Sequence, residues 1–251
     1  MGAPLQRPTP LLRWRGALLK LESLRPSGGV DDRALGIFPE LPRGAQAKFA
    51  GTAGAGLAAA GWARRRGVQL AVTVHGAITH EMREGLRIWC AQVEQLPSPD
   101  AALCRARELP GIQLPPLDGP EAIAEVARTL GAELLADLTS VPARVVAPAG
   151  AAAALLGVLQ ALRALWPDVR GFALIAADCE LPELPCEAKL PGLEVRPVTF
   201  SEAARAREEL ARSTGVLASH AAAAAALSVG EGGVALITSA GEREFSLERA
   251  A

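Results

Sequence analysis

Lysine is scarce in this chain. Lysine and arginine together number 26, yet lysine stands only at Lys20, Lys48 and Lys189, so chemistry that needs a primary side-chain amine has few candidates. Excess charge of either sign is also missing. With 26 basic and 27 acidic residues the formal net charge is −1, which provides no overall field to draw nucleic acid or an anionic membrane surface. Neither is expected as a partner. No apolar run is long and unbroken enough for a membrane span, and the first residues lack the basic start, apolar stretch and small-residue cleavage site of a secretory signal. A cytoplasmic location is therefore the expectation. Cys90, Cys104, Cys179 and Cys186 form no C-x-x-C pair, so no zinc site or redox motif is supported, no metal is expected, and buried, reduced thiols are the simplest expectation.

What the chain does have is apolar residues, 50% of the total, enough for a substantial core in 251 residues arranged as one compact unit or two small lobes. Their pattern alternates strand and helix. Thr9-Pro10-Leu11-Leu12 predicts a turn, with a strand over 17–21. A second strand is expected over 44–49, followed by a helix to Arg66 that Gly67 stops. Strands over 68–74, near Val93, and over 112–114, 144–147, 172–176 and 193–198 alternate with helices over 78–90, 100–109, 120–136 and 151–166. Ser201 is expected to cap a helix to Arg212, the alanine run 221–227 to form another, and a strand over 234–238 to close the sheet. Such alternation means an open α/β fold with a parallel sheet and helices on both faces. Arg64, Arg65 and Arg66 are expected to complement the helix dipole rather than to bind phosphate, and the alanine runs to permit close helix packing.

Sheets of this class bind ligands at the carboxyl ends of their strands, beside helix N-termini. Four stretches fall in such places. Leu18-Leu19-Lys20-Leu21-Glu22 is followed by Ser27-Gly28-Gly29-Val30-Asp31-Asp32-Arg33; then come Gly51-Thr52-Ala53-Gly54-Ala55-Gly56, Ala147-Pro148-Ala149-Gly150-Ala151-Ala152-Ala153, and Ser239-Ala240-Gly241-Glu242-Arg243-Glu244-Phe245-Ser246. Any one glycine cluster reads as a plain turn. In this order and spacing the four resemble the pyridoxal phosphate (PLP) enzymes of fold type II, the tryptophan synthase β-like family, nearest to cysteine synthase and threonine synthase. The likeness runs from Thr9 to Ser246.

That resemblance implies a two-lobed α/β sandwich built on parallel sheets, with residues 27–137 in a smaller lobe and residues 1–26 and 138–251 in a larger one. In the family, L-K-L-E precedes N-P-T-G-S-x-K-D-R, whose lysine carries the cofactor as an imine; here Asp31 occupies that position, and a carboxylate cannot form the bond. Alignment of the remaining loops makes Thr52, Gly150 and Ser239 vestigial cofactor contacts. Thr52 stands where the family has an asparagine facing the ring hydroxyl, with Ala50 at a family serine. Gly150 is the one glycine left in a phosphate cup that has three or four in the family, and Ser239 keeps the serine that meets the pyridine nitrogen. Lys20 matches a strand lysine whose side chain points elsewhere.

The resemblance thus leads to no catalytic residue and no cofactor, with weak non-covalent PLP binding as what remains of the family site. Its functional expectation is a pseudoenzyme, a binding or regulatory protein of amino-acid or sulfur metabolism that forms a homodimer or pairs with an intact relative. Two alternatives stay open. One is PLP-dependent β-replacement or β-elimination on serine-type or threonine-type amino acids, and the other is a sensor holding a small anion or an amino acid in the cleft. His75, His80 and His220 lie near loop ends without a partner motif, and are expected to be solvated or hydrogen-bonded.

Overall fold

A computed structural model describes residues 7–76, 78–177 and 192–241. The chain opens with a hairpin, β1 (Leu11–Trp14) and β2 (Ala17–Lys20), paired antiparallel with Leu11 opposite Lys20. Arg15 and Gly16, at φ 51° and 75°, supply the doubly left-handed turn that a two-residue hairpin loop requires. A turn was expected where β1 runs. The apolar pair Leu11-Leu12 becomes strand because Leu19 and Lys20, beyond the turn, pair with its backbone, which local pattern alone does not disclose.

A 3₁₀ segment, Val30–Ile37, leads to β3 (Gln46–Thr52), α1 (Ala53–Arg66), β4 (Gln69–His75), α2 (His80–Trp89), β5 (Gln92–Leu96), α3 (Pro99–Glu108) and β6 (Ile112–Gln113). These four strands form an all-parallel sheet in the order β5-β4-β3-β6. The remaining elements are α4 (Pro120–Val126), a π turn (Ala127–Gly131), α5 (Ala132–Asp137), β7 (Arg144–Pro148), α6 (Ala152–Arg163), β8 (Arg170–Ala176), β9 (Glu194–Val198), α7 (Phe200–Thr214), α8 (His220–Ser228) and β10 (Val234–Leu236). The larger sheet has the order β1-β2-β10-β7-β8-β9, parallel throughout except for β1. Two expectations are corrected here. The last strand does not close the sheet but sits inside it, between β2 and β7, and the edge strand β1 is antiparallel.

Local chemistry explains most element ends. Gly67, at φ 67°, terminates α1 after its three arginines, and Arg66 lies over the Trp62 ring at 4.9 Å. Thr199, not Ser201, caps α7: its hydroxyl accepts from Glu202 N while the Glu202 carboxylate accepts from Thr199 N, a reciprocal capping box. Thiol placement is also corrected. Ala102 and Ala106 face inward on α3 and leave Cys104 exposed, while Cys90 is half-buried with its pKa pushed up to about 12 by burial. Cys179 and Cys186 lie outside the described residues.

One core cluster joins the two sheets, from Phe49, Trp62 and Leu70 to Leu130, Leu155 and Leu159. Phe38 bridges Phe49 and Trp62, meeting the latter edge-on at 5.1 Å between centroids. A second cluster fills the outer face of the larger sheet, where buried Ala221–Ala226 of α8 pack against residues such as Val146 and Leu174. Alanine at every turn lets α8 lie close to the strands. The α4–α5 helix crosses α6 at two glycines, Gly131 and Gly157, and the π turn falls at this crossing.

Candidate functional site

A cavity of about 680 Å³ lies where the two sheets face each other, with an adjoining compartment of about 370 Å³. Its wall comes from carboxyl ends of parallel strands. Gly51 and Thr52 end β3, His75 ends β4, Pro148 ends β7 with Ala149 to Ala151 following it, and Thr238 and Ser239 follow β10. Asp31, Thr52 and Gly150 border both compartments, and Ser239 borders the second, so residues separated by more than two hundred positions meet here. Phe49, Leu114, Leu117 and Val126 make much of the wall apolar.

Each of these residues has a local reason for its place. The 28–30 segment is pinned to the end of β10: Val30 N donates to Thr238 O at 3.0 Å, Ala240 N to Gly28 O at 3.1 Å, and Gly29 pairs with Ser239. Asp31 is the second residue of the 3₁₀ segment and is half-buried at the junction of the compartments. Thr52 caps α1, its hydroxyl accepting from Ala55 N at 3.3 Å. Gly150 lies in the short 3₁₀ turn ahead of α6, which has no side-chain cap, and the residues from Ala151 to Ala153 also border the cavity. The Ser239 hydroxyl lies 2.7 Å from that of Ser219, which caps α8.

Beneath Asp31 lies a buried network of opposite charges. The Arg33 guanidinium donates to both Glu22 oxygens at 2.7 and 2.8 Å, to Glu133 Oε2 at 2.6 Å and to Thr9 Oγ1 at 3.1 Å. Lys20 Nζ meets Glu133 Oε1 at 2.5 Å, Asp137 Oδ2 at 2.8 Å and Thr9 O at 2.8 Å. Burial alone would raise the Glu133 pKa, but hydrogen bonds from Arg33, Lys20 and Thr9 N hold it below the usual carboxylate range. This network fixes the start of the 3₁₀ segment against β2 and α5, and thereby the position of Asp31.

The neighbouring Asp32 is different. It accepts from Ser27 N at 2.8 Å through Oδ2, whereas its buried Oδ1 has no hydrogen-bond partner among the described residues. Burial pushes its pKa up, against the lowering effect of Ser27 N and Arg25. A folded value above the unfolded one gives a contribution that is present below the ordinary value of 3.8 and lost as pH rises through the folded value. Asp32→Asn removes that pH-dependent loss. Its effect on stability, relative to the native chain, is expected to be more favourable at about pH 7 than at about pH 4 in urea unfolding. Equal effects at both would show that the carboxylate is not desolvated.

Sequence reasoning did not find every wall residue. His75 borders both compartments, and Asp118 and Gln113 lie at an exposed part of the wall. Asp118, in Leu117-Asp118-Gly119 ahead of α4, has the appearance of an ordinary turn aspartate, and nothing local marks it as facing a cavity. His220 packs instead against Phe200, 5.1 Å between ring centroids, and His80 is exposed at the start of α2. Glu242 to Ser246 lie outside the described residues. Among the described residues no group of three or more His, Cys, Asp or Glu could hold a metal ion, and no helix is long and apolar enough to cross a membrane.

Two sheets, parallel but for the edge strand β1, facing a shared cleft define an open α/β protein of the tryptophan synthase β-like, fold type II class. The chain belongs to the pyridoxal-phosphate dependent enzyme family, whose sequence profile matches residues 3–190. Solved structures share the fold. O-ureido-L-serine synthase superposes with a TM-score of 0.80 at 22% identity, over 96% of this chain and 92% of that one. The O-acetylserine dependent cystathionine beta-synthase from Helicobacter pylori gives 0.78 at 19%, over 96% and 95%. A fungal L-serine ammonia-lyase from Rhizomucor miehei gives 0.76 at 21%, over 98% of each chain. No curated protein sequence matches the chain.

PLP is the family cofactor, and its covalent attachment needs an amine in the cavity. Among the described residues no lysine borders it. Lys20 is fully buried in its ion pairs, and Lys48 Nζ donates to the carbonyls of Arg107 and Leu109 at 3.0 and 2.7 Å. Lys189 lies outside the described residues. The described wall therefore does not fit covalent attachment of the cofactor.

Proposed function

We propose that this chain is a family member without covalent cofactor chemistry, a pseudoenzyme that acts as a binding or regulatory protein of amino-acid or sulfur metabolism and holds a small molecule in its cleft. One observation carries the reading: Asp31, which the resemblance aligns with the family's attachment lysine, borders both compartments of the cavity, while Lys20 and Lys48 are occupied elsewhere. Alanine methyls at 151–153, where the family cup is glycine-rich, support the same reading.

A second reading has its own support. The fold relatives are named as synthases and an ammonia-lyase, a cavity of small-molecule size is retained, and Lys189 falls within the stretch that matches the family. On that reading Lys189 supplies the amine for PLP-dependent β-replacement or β-elimination. Adding PLP to the purified protein, reducing with borohydride and locating any modified lysine by mass spectrometry separates the two. No adduct is expected on Lys20, Lys48 or Lys189. A stoichiometric adduct on Lys189 would overturn the non-covalent reading in favour of the enzyme.

A further inference from the structure

Ser219 and Ser239 share one short hydrogen bond, and which of the two donates decides what the cleft offers a ligand. Their hydroxyl oxygens lie 2.7 Å apart, and Ser219 N donates to Ser239 O at 3.1 Å. Ser219 is 0% exposed and its Oγ already accepts from Ala222 N at 3.2 Å, so its own proton needs an acceptor inside the protein. Among the described residues Ser239 Oγ is that acceptor. The reverse arrangement would leave a buried hydroxyl proton unsatisfied, which costs more than one exchanged hydrogen bond returns. The N-terminus of α8 acts in the same sense, because its positive end draws oxygen lone pairs inward and turns hydroxyl protons outward. Ser239 is half-buried and borders the smaller compartment, and among the described residues its hydroxyl has no second partner, so its proton is left for the cleft. Arg207 braces both segments, Nε donating to Ala218 O at 3.1 Å and Nη2 to Gly241 O at 3.4 Å.

We propose that Ser219 is a positioning residue of the cleft: it holds the Ser239 hydroxyl as a donor, so that the smaller compartment selects a molecule presenting an unprotonated hydrogen-bond acceptor over one presenting an N–H at the same point. This rests on the reading above of the cleft as a non-covalent small-molecule site, and gives that site a rule of selection. Ser219 lies in none of the four loops that carry the family resemblance. The chain of donors runs from Ala222 N through Ser219 Oγ and Ser239 Oγ to the ligand, and each bond polarises the next. A ligand N–H reaches the Ser239 oxygen only by turning its proton aside, away from the ligand. Val30, Ile78, Met82 and Ala221 border the same compartment and take a flat, apolar body, for which about 370 Å³ is sufficient. No bond is made or broken.

Isoquinoline and indole are suitable probes because both are flat, apolar bicycles, the first presenting a ring-nitrogen acceptor and the second an N–H donor. Titration of the full chain at about pH 8, followed by calorimetry, is expected to show isoquinoline bound about fivefold tighter or more than indole. Ser219→Ala is expected to bring the ratio to within about twofold, because the Ser239 hydroxyl is then able to turn and accept. Ser219→Thr, which keeps the hydroxyl, is expected to retain the preference, and Ser219→Asp, whose carboxylate caps α8 but only accepts, to invert it. Loss of the cap in Ser219→Ala lowers the melting temperature but by itself leaves the ratio unchanged, so the ratio of the two affinities is the readout. Equal affinity for the two probes in the native chain, tighter binding of indole, no binding of isoquinoline, or a preference that persists in Ser219→Ala would each overturn the proposal. The first three outcomes need no variant to fold. The borohydride experiment tests the underlying reading separately: an adduct there removes the non-covalent premise, whereas failure of the titrations alone leaves that premise standing.

Discussion

Arg33→Met is expected to destabilise the fold by about 3–5 kcal/mol, the cost of leaving a buried charge without its partner. Arg33 is 1% exposed and Glu22 is 0% exposed, and the guanidinium holds both oxygens of that carboxylate with two parallel bonds. Methionine fills much of the volume but leaves Glu22 with the Thr9 hydroxyl and no cation within the pair. Equilibrium urea unfolding at neutral pH, with an unchanged denaturant slope, is the measurement. The double variant Arg33→Met with Glu22→Gln is expected to recover a sizeable part of the loss, because the orphaned charge goes too. A single variant that loses less than about 1 kcal/mol would mean that water reaches Glu22 or that the pair is not formed. Loss of order around residues 28–31 is expected to accompany the destabilisation, since Arg33 belongs to the same 3₁₀ segment as Asp31.

Gly157→Ala is the second substitution with a large expected effect. A methyl there would come within 2.6 Å of the Ile123 carbonyl oxygen and 2.7 Å of Val126 Cβ, distances that only movement of a helix backbone can relieve. Alanine normally stabilises a helix over glycine by about 0.8–1.0 kcal/mol, so the propensity gain and the steric cost have opposite signs. The steric cost is expected to win, for a net loss of about 1–3 kcal/mol, because the obstacle is backbone and a β-carbon rather than the tip of a flexible side chain. Gly85→Ala in α2 is the informative comparison. Its added methyl meets only Leu57 Cδ2 at 3.0 Å, which can turn aside, so neutrality or a small gain is expected there. If both variants melt alike, the crossing of α4 and α6 is looser than described.

Val126 at this crossing also borders the cavity, so displacement at Gly157 is expected to reach the cleft wall. The site is thus coupled to a helix contact that carries no functional motif.

Local chemistry made much of this fold legible in the sequence. Gly67 ends α1, Pro120 begins α4, and the apolar runs at Leu70, Val145 and Phe172 mark strands, because backbone conformation and apolar spacing act over a few residues. The order of the four loops likewise singled out Asp31, Thr52, Gly150 and Ser239, which the structure places on the wall of the cavity. Other features depended on partners distant in the chain. The strand at Leu11 needed β2, the inner position of β10 needed both β2 and β7, and the competition between Thr199 and Ser201 was decided by which hydroxyl reached the amide of Glu202. Asp118 and His75 face the cavity because two sheets meet there, and Lys20 is kept from it by Glu133 and Asp137, more than a hundred residues away. Sequence determined which chemical groups exist and in what order. Packing of the two sheets decided which of them share the cleft, because burial and ion pairing depend on neighbours in space rather than along the chain.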